Sequence, residues 1–428
     1  MKFCSSKLNK ISKLIQQHFE NLREEFIPGK TKIAIAGPTF GFAEVNEAID
    51  SLLSTWVTMG KKVKKFENSF ARYIGSKYSV MVNSGSSANL LALSILTNPK
   101  FSERIKSGSE VLTPAVTWAT TISPIVNVNL IPSIIDVDLE NFNLDVDKLR
   151  KSITKKTKAI MPVHLLGNPS NMKEIIDIAK EYNLFVIEDS CEAHGAEFNN
   201  KKVGSFGDIS TFSFYLSHHI STMEGGMLLT KNEEIFELAK SMRIFGSVRD
   251  QKNKKQTTKK YPDLDPRFLF DNLGYNIRPT EIQGAFGIHQ IKKLEKFIKI
   301  RTKNANYWNK KLAKFSNYLL LHSERPNTRH AWFAYPITIR ASSPFSRNQL
   351  VNFLEKKNIE TRPIMAGDIT QQPVIRLIKK KINKPLTNSK FIHSNSFFIG
   401  VHQGIDKVQR DYVVSVFEEF MKKLSKKF

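Results

Sequence analysis

The sequence has 428 residues, 41% of them hydrophobic, which suits one large α/β domain with a smaller one and excludes a disordered or fibrous chain. The formal charge of +25 comes from 65 Lys and Arg residues against 40 Asp and Glu residues. The basic residues are scattered, and the densest cluster, 252–260, lacks interleaved aromatic residues, so we expect no nucleic-acid partner. With only Cys4 and Cys191, the chain alone cannot build a disulfide framework, a four-cysteine iron–sulfur cluster or a four-cysteine zinc site.

The first segment, residues 1–30, is predicted to be an N-terminal helical extension because basic and apolar residues alternate at helical spacing. It contains no continuous apolar stretch of signal-peptide length. No later segment approaches the roughly 20 apolar residues that a membrane span requires. We therefore expect a cytoplasmic protein with no membrane partner.

Residues 31–290 are predicted to form a large α/β domain, because short β-branched runs alternate there with amphipathic helical stretches. Such alternation indicates a mainly parallel sheet covered by helices on both faces. The predicted strands are 78–82, 110–113, 131–137, 159–164, 184–188, 210–214 and 226–230. Open sheets of this kind bind ligands at the carboxyl ends of their strands.

A turn of small residues follows the first predicted strand, in the string VNSGSSANLLAL. Gly85 and Ser86 stand where this turn opens a helix, so their backbone N–H groups and the nearby hydroxyls are available to a phosphate. The same residues also make an ordinary capped helix start. Alone, this turn is a moderately specific signal.

Two acids, Glu188 and Asp189, stand at the end of the predicted strand in VIEDSCEAHGA. A carboxylate in that position suits a ligand site, although it also suits the cap of a following helix. Further along, SFYLSHHISTMEGG carries the adjacent histidines His218 and His219. Neighbouring side chains point in different directions on any regular element, and no third ligand has suitable spacing, so we expect no metal site.

Residues 291–428 are predicted to form a small C-terminal α/β domain. A long helix leads into it from near Thr280, followed by a strand at 332–340 and helices at 348–357 and 408–424. The helix near 42–56 is expected to pack back on this unit.

The motifs together, from about residue 34 to 419, resemble the sugar aminotransferase (DegT/DnrJ/EryC1/StrS) family of fold-type-I pyridoxal-phosphate enzymes. Each motif is weak alone, but their order along the chain is specific. The resemblance implies an aspartate-aminotransferase-like fold and pyridoxal or pyridoxamine phosphate as cofactor. The strings that carry it include TMGKKVKKFENSFARYIGSKY, VNSGSSANLLAL, TPAVTWATTISPI, VHLLGNP, VIEDSCEAHGA, SFGDISTFSF and LGYNIRPTEIQGA.

The family's cofactor-binding lysine is replaced here, because its position in S-F-x-x-x-K falls on His218. This substitution resembles the branch of 3-dehydratases that make 3,6-dideoxysugars. One subgroup carries a cysteine-ligated iron–sulfur cluster that two cysteines cannot hold, so the chain resembles the cluster-free subgroup, which acts on GDP-4-keto-6-deoxymannose. CDP- and dTDP-sugars remain open. Phe245 departs from some of these relatives, which carry a histidine there.

Three residues are assigned to the cofactor ring by the resemblance. Asp189 pairs with the pyridine nitrogen, and Glu192 approaches the ring 3-hydroxyl group. Trp118 stacks on the face of the ring, as suits a rigid apolar plane.

The cofactor phosphate is assigned by the same resemblance to Gly85, Ser86 and Ser213. Asn276 matches the residue that family dimers send to the neighbouring subunit's phosphate. We therefore expect a homodimer.

The reaction implied is loss of the C3 hydroxyl group from a nucleotide-linked 4-keto-6-deoxyhexose, with His218 as the base. Glutamate supplies the amino group, ammonia leaves, and the 4-keto-3,6-dideoxysugar nucleotide serves O-antigen or other surface polysaccharide synthesis. One rival is a true aminotransferase that uses another lysine. Another is an inactive cofactor-binding protein, although retention of Asp189, Glu192 and Ser213 argues against it.

Overall fold

The computed structural model describes residues 5–21, 25–37 and 39–425; Cys4 and parts of the predicted N-terminal extension lie outside these ranges. The helices are α1 (Ser5–Asn21), α2 (Phe42–Leu53), α3 (Lys61–Ile74), α4 (Gly85–Thr97), α5 (Ala119–Asn127), α6 (Val146–Ser152), α7 (Met172–Tyr182), α8 (Glu233–Arg243), α9 (Lys254–Lys260), α10 (Glu281–Leu312), α11 (Arg347–Lys356), α12 (Thr387–Asn395) and α13 (Lys407–Ser425). The strands are β1 (Tyr78–Val82), β2 (Glu110–Pro114), β3 (Ile131–Ile135), β4 (Thr157–Ile160), β5 (Phe185–Asp189), β6 (Glu197–Phe198), β7 (Lys201–Lys202), β8 (Ile209–Ser213), β9 (Gly226–Thr230), β10 (Leu319–Leu321), β11 (Thr328–Arg329), β12 (Tyr335–Ile339), β13 (Thr361–Pro363), β14 (Lys381–Ile382) and β15 (Ser396–Ile399).

The largest sheet has eight strands in the order β1-β9-β8-β5-β4-β2-β3-β14. Strand β9 runs antiparallel to β1 and β8, and the remaining neighbours are parallel. Every residue of β2, β8 and β9 is buried, as expected for strands covered by helices on both faces. The prediction of a mainly parallel α/β sheet is therefore confirmed.

The predicted strands correspond to β1–β5, β8 and β9, with one clear difference. Strand β4 ends at Ile160, whereas the prediction carried it to residue 164. The chain there turns into a short 3₁₀ segment at Leu165–Gly167, in which Leu166 has a left-handed φ of 54°. This loop then reaches towards the carboxyl end of β5, since the N–H of His164 donates to the carbonyl of Asp189.

The C-terminal part of the chain builds a four-stranded antiparallel sheet in the order β10-β12-β15-β13. Its hydrophobic core includes the fully buried Trp308, Trp332 and Tyr335. Helix α10 begins at a capping box formed by Thr280 and Gln283 and continues to Leu312, so the chain passes the predicted boundary at residue 290 within a helix. The division into 31–290 and 291–428 stays a prediction.

Three further features bear on the sequence predictions. The basic stretch 249–267, which includes the densest basic cluster at 252–260, contains the helix α9. Among the described residues, no helix is both long enough and apolar enough to cross a membrane. Helix α2, predicted to pack on the small unit, contacts α10, the helix that leads into that unit.

Candidate active site

A cavity of about 770 Å³ opens at the carboxyl ends of β1, β5 and β8. This is the edge at which open α/β sheets bind ligands. Seven of the eight residues predicted to form the site line this cavity, namely Gly85, Ser86, Trp118, Asp189, Glu192, Ser213 and His218. The eighth, Asn276, lies outside it.

The turn predicted to bind a phosphate is the N-terminus of α4. Ser84 is the N-cap, and its hydroxyl accepts from the N–H of Ser87 at 3.1 Å, which leaves the N–H groups of Gly85 and Ser86 for a ligand. A Cβ atom on Gly85 would lie 2.4 Å from Cβ of Ser213, so only glycine allows the helix end to approach β8 this closely. The result is a small polar cradle at the positive end of a helix dipole.

Asp189 ends β5 with its carboxylate held from several sides. Its Oδ2 accepts from Asn89 Nδ2 at 3.0 Å and from the hydroxyl of Thr121 at 2.9 Å. Its Oδ1 accepts from the N–H of Cys191 at 3.3 Å. These donors fix the direction of the carboxylate.

The neighbouring acid, Glu188, has a structural role. Side chains alternate across a strand, so Glu188 points to the opposite face from Asp189. Its carboxylate accepts from three backbone N–H groups at 2.7–2.8 Å and contacts His164 Nε2 at 3.1 Å. His164 Nδ1 in turn accepts from the N–H of Ser170, so this pair anchors the loop after β4.

Glu192 is a buried acid on the cavity wall with one hydrogen-bond donor. Its Oε2 accepts from the N–H of Leu166 at 2.8 Å, and Leu166 has a left-handed backbone. Burial raises the pKa of Glu192 to about 8, and the nearby charge of Asp189 adds to the effect. At neutral pH its carboxyl group is therefore largely protonated and can donate a hydrogen bond.

His218 and His219 face different surroundings. His218 lines the cavity, and its Nδ1 is buried without a hydrogen-bond partner. Burial and, second, the charge of Arg301 lower the pKa of His218 to about 3, so at neutral pH the imidazole is in the neutral form that can accept a proton, with a basicity below that of free histidine. His219 is fully buried instead, and its Nε2 donates to the carbonyl of Ala331 at 2.9 Å.

Two predicted positions lie on exposed surface. Trp118 is the N-cap residue of α5, and 54% of its surface remains accessible at the mouth of the cavity. Asn276 is exposed, and its Oδ1 accepts from Arg278 Nε at 3.1 Å. The guanidinium of Arg278 also lies 5.1 Å from the ring of Phe245, which does not line the cavity.

The cavity suits a flat, phosphate-bearing heteroaromatic group. It offers free N–H groups at a helix N-terminus for the phosphate, an oriented carboxylate for a protonated ring nitrogen, and an indole plane at its mouth. Among the described residues that line it, none is a lysine. A group of this kind would therefore be held by noncovalent contacts.

Comparison with known proteins assigns the chain to a family. Residues 39–418 match the DegT/DnrJ/EryC1/StrS aminotransferase family. The chain belongs to this family. The resemblance drawn from the sequence motifs, and the fold-type-I architecture that it implied, are thereby confirmed.

Three similar members of the DegT/DnrJ/EryC1/StrS family are informative. A GDP-4-keto-6-deoxy-D-mannose 3-dehydratase of Escherichia coli O55:H7 is 40% identical over 83% of this chain and 92% of that protein. A dTDP-4-dehydro-2,6-dideoxy-D-glucose 3-dehydratase of Saccharopolyspora spinosa is 38% identical over 95% of this chain and 90% of that protein. A crystal structure of GDP-4-keto-6-deoxymannose-3-dehydratase with a trapped PLP-glutamate geminal diamine is 37% identical, with a TM-score of 0.81 over 89% of this chain and 99% of that one.

Several residues of this family member were missed by sequence reasoning. Asn89 and Thr121 orient Asp189, and Asn89 is itself held at Oδ1 by the hydroxyl of Thr211 at 2.6 Å. Phe333 and Arg301 contribute to the surroundings of His218. The signal for Asn89 was available, because it is the one amide in the otherwise small and apolar string SSANLLAL. No local pattern marks Phe333 or Arg301.

Proposed function

We propose that this protein is a pyridoxal-phosphate-dependent sugar-nucleotide 3-dehydratase that acts on GDP-4-keto-6-deoxy-D-mannose. The observation that carries the proposal is His218, a neutral imidazole on the cavity wall at the family's lysine position, in a cavity without a lysine among its described lining residues. The similarity to a 3-dehydratase of this GDP-sugar supports the substrate.

The overall reaction is a reduction at C3 of the sugar coupled to oxidation of glutamate. The sugar loses its C3 hydroxyl group as water and gains two electrons and two protons. Glutamate supplies those electrons, consumes one water, and yields its 2-oxo acid and ammonia. The product is a 4-keto-3,6-dideoxysugar nucleotide, which we assign to surface polysaccharide synthesis. The bound PLP and glutamate in the similar crystal structure support this choice of cofactor and amino donor.

Pyridoxal phosphate, when bound, supplies an electron-accepting ring. The protein's part on the cofactor side is to hold it. Gly85, Ser86 and Ser213 bind the phosphate, and Asp189 keeps a proton on the ring nitrogen. Trp118 covers the face of the ring. Glu192, protonated when buried, donates to the oxygen of the 3-hydroxyl group.

The residue that moves the proton is His218. A neutral imidazole accepts a proton and returns it, but it cannot form the stable covalent link that a lysine amine forms with the cofactor. Its short side chain also reaches less far than a lysine. These two differences favour loss of the C3 hydroxyl group over delivery of a proton to C4, the step that would complete a transamination.

We also propose that the active unit is a homodimer in which Asn276 completes the phosphate site of the partner. Asn276 is exposed and lies outside the cavity of its own chain. The segment before it carries exposed apolar side chains, with Phe268 69%, Phe270 51% and Leu273 75% accessible. Apolar groups at this exposure are typical of a surface that is covered by another subunit. The cytoplasmic location stays a prediction from the sequence.

The test is product analysis with pyridoxal phosphate, glutamate and GDP-4-keto-6-deoxymannose. We expect released ammonia and a 4-keto-3,6-dideoxysugar nucleotide. An aminosugar formed in proportion to glutamate consumed would indicate an aminotransferase, and the absence of both products would indicate an inactive binding protein. Parallel assays with the CDP- and dTDP-linked sugars determine the base, a relevant comparison because one relative acts on a dTDP-sugar.

Borohydride reduction tests the covalent state of the cofactor. We expect no pyridoxyl group to remain on the chain after reduction and denaturation. A stable adduct on any lysine would favour the aminotransferase.

A further inference from the structure

A buried arginine lies behind the base. Arg301, on α10, is 1% exposed. Its Nη1 donates to the backbone carbonyls of Trp332 at 3.0 Å and Phe333 at 2.9 Å, and its Nε has no hydrogen-bond partner. No carboxylate among the described residues forms an ion pair with it. A buried cation without an anion is destabilising, so the position of Arg301 behind His218 points to a role other than stability.

The segment that Arg301 holds, residues 331–333, is also held from the active-site side. The N–H of Phe333 donates to the carbonyl of Leu166 at 2.9 Å, and the carbonyl of Ala331 accepts from His219 at 2.9 Å. Between them Trp332 has a left-handed φ of 53°, which is rare for a bulky residue. The hydrogen bonds around this segment therefore maintain a backbone that the sequence alone does not favour.

This backbone positions the side chain of Phe333 against His218, the proposed base. The ring of Phe333 lines the cavity and contacts the imidazole of His218, with 5.3 Å between ring centroids and 52° between planes. Nothing hydrogen-bonds Nδ1 of His218 among the described residues, so packing rather than a hydrogen bond limits the orientation of this ring.

We propose that Arg301 is a positioning residue for His218. Its hydrogen bonds fix the carbonyls of residues 332 and 333. This backbone places the ring of Phe333 against the imidazole of His218, and the contact directs the imidazole into the cavity. This inference rests on the proposed function, in which His218 moves the proton.

The charge of Arg301 adds to the effect of its geometry. Burial is the main cause of the lowered pKa of His218, and Arg301 is the second cause. The other titratable side chains near this imidazole are His194, His219 and Tyr215, and those that line the same cavity are Asp189, Cys191, Glu192, Glu224, Glu360 and Arg362. Loss of the Arg301 charge should therefore raise the pKa of His218.

Two substitutions separate geometry from charge. Arg301→Lys keeps the charge but loses the guanidinium geometry, in which Nη1 donates to both carbonyls and Nη2 donates to Gln403 Oε1, and Arg301→Gln loses the charge as well. We expect kcat to fall about 10- to 100-fold in both variants, in keeping with the cost of a misplaced catalytic group, while KM for the sugar nucleotide stays within about 3-fold. Unchanged kcat in both variants would overturn the proposal.

Histidine-ring NMR on the cofactor-free protein gives a readout independent of turnover. With the His218 signal assigned by its loss in His218→Asn, the titration midpoint should rise in Arg301→Gln and stay near that of the wild type in Arg301→Lys. A His218 signal with the wild-type shift and midpoint in Arg301→Gln would contradict the proposal. This measurement remains valid even if the wild type forms no product from the sugar nucleotides, a result that would contradict only the proposed function.

The matched control is Arg347→Gln. Arg347 also donates to backbone carbonyls, those of His393 and Ser396, but it does not line the cavity. It should lose stability without a change in kcat or in the His218 signal. If Arg301→Gln does not fold, Phe333→Leu decides the question, since it removes the ring and keeps the Arg301 contacts. A wild-type kcat in Phe333→Leu would overturn the proposal, and a loss comparable to that of Arg301→Lys would support it.

Discussion

The two walls of the cavity are built differently. On the cofactor wall, the wall that carries Asp189, the carboxylate of this residue is satisfied by hydrogen bonds from Asn89, Thr121 and Cys191. On the base wall, Nδ1 of His218 is buried and unpartnered, and so is Nε of Arg301 behind it.

The difference separates binding from proton transfer. Satisfied hydrogen bonds hold a charge in one place, which suits a group that must keep a cofactor oriented. An unpartnered buried nitrogen destabilises the fold by about 1–3 kcal/mol, and on the cavity wall it leaves Nδ1 of His218 without a competing protein partner. Substitutions on the two walls should therefore have different signatures in rate and affinity.

The largest effect is expected on the base wall. His218→Asn should lower the dehydration rate by about 10²–10⁴-fold, the usual range for loss of one general acid–base group, with little change in cofactor affinity. Ammonia release and entry of solvent deuterium into the sugar measure the rate. The control is His219→Gln, in which an amide can still donate to the Ala331 carbonyl. Normal dehydration by His218→Asn beside an inactive His219→Gln would mean that the other histidine is the base.

On the cofactor wall, Asp189→Asn should lower turnover by about 10²-fold or more, while the cofactor Kd rises less than about tenfold. The amide keeps the shape of the side chain but cannot hold a proton on the ring nitrogen by charge. Steady-state rates and cofactor fluorescence titrations provide the two numbers. Near-normal turnover in Asp189→Asn would mean that the charge of Asp189 is not needed for the ring to accept electrons. Thr121→Val, which removes one hydrogen bond to Asp189, should lower turnover by a smaller factor.

A smaller effect tests whether the cofactor wall extends into a second subunit. Asn276→Ala should weaken cofactor binding by about 1.5–3 kcal/mol, the value of a hydrogen bond to a charged group. Equilibrium dialysis measures the Kd, and sedimentation confirms that the variant still associates. An active monomer with unchanged Kd in the variant would place Asn276 outside the site.

The smallest effect is expected for Glu192, a buried acid of the cavity whose carboxyl group accepts one hydrogen bond. Its pKa is raised from 4.5 to about 8, so the folded protein holds a proton that the unfolded chain releases. This contribution to stability is fully present below about pH 4.5 and is lost as the pH rises through 8. Urea unfolding of the cofactor-free protein should show a loss between pH 5 and pH 9 that exceeds the loss in Glu192→Gln by more than about 1 kcal/mol. Glu224→Gln, which removes an exposed carboxyl at the same cavity, should behave like the wild type.

The cofactor wall was largely predictable from the sequence, because its residues belong to continuous motifs at strand ends. Gly85, Ser86 and Asp189 each follow a predicted strand by a few residues or end it, and parallel strands bring such ends to one edge. The base wall was only partly predictable. His218 was found by its position in a motif, but the segment 331–333 and Arg301 are distant in sequence and come together only through α10 and the loop after β4.

By itself the sequence determined the parallel α/β sheet, the family, and the replacement of a lysine by His218. Those features depend on hydrophobic periodicity and on short motifs, which are local properties of the chain. The tertiary structure alone decided the role of Glu188, whose contact with His164 anchors the loop after β4. It also decided the burial that raises the pKa of Glu192 and lowers that of His218. Burial depends on what packs against a side chain, and those partners come from distant parts of the sequence.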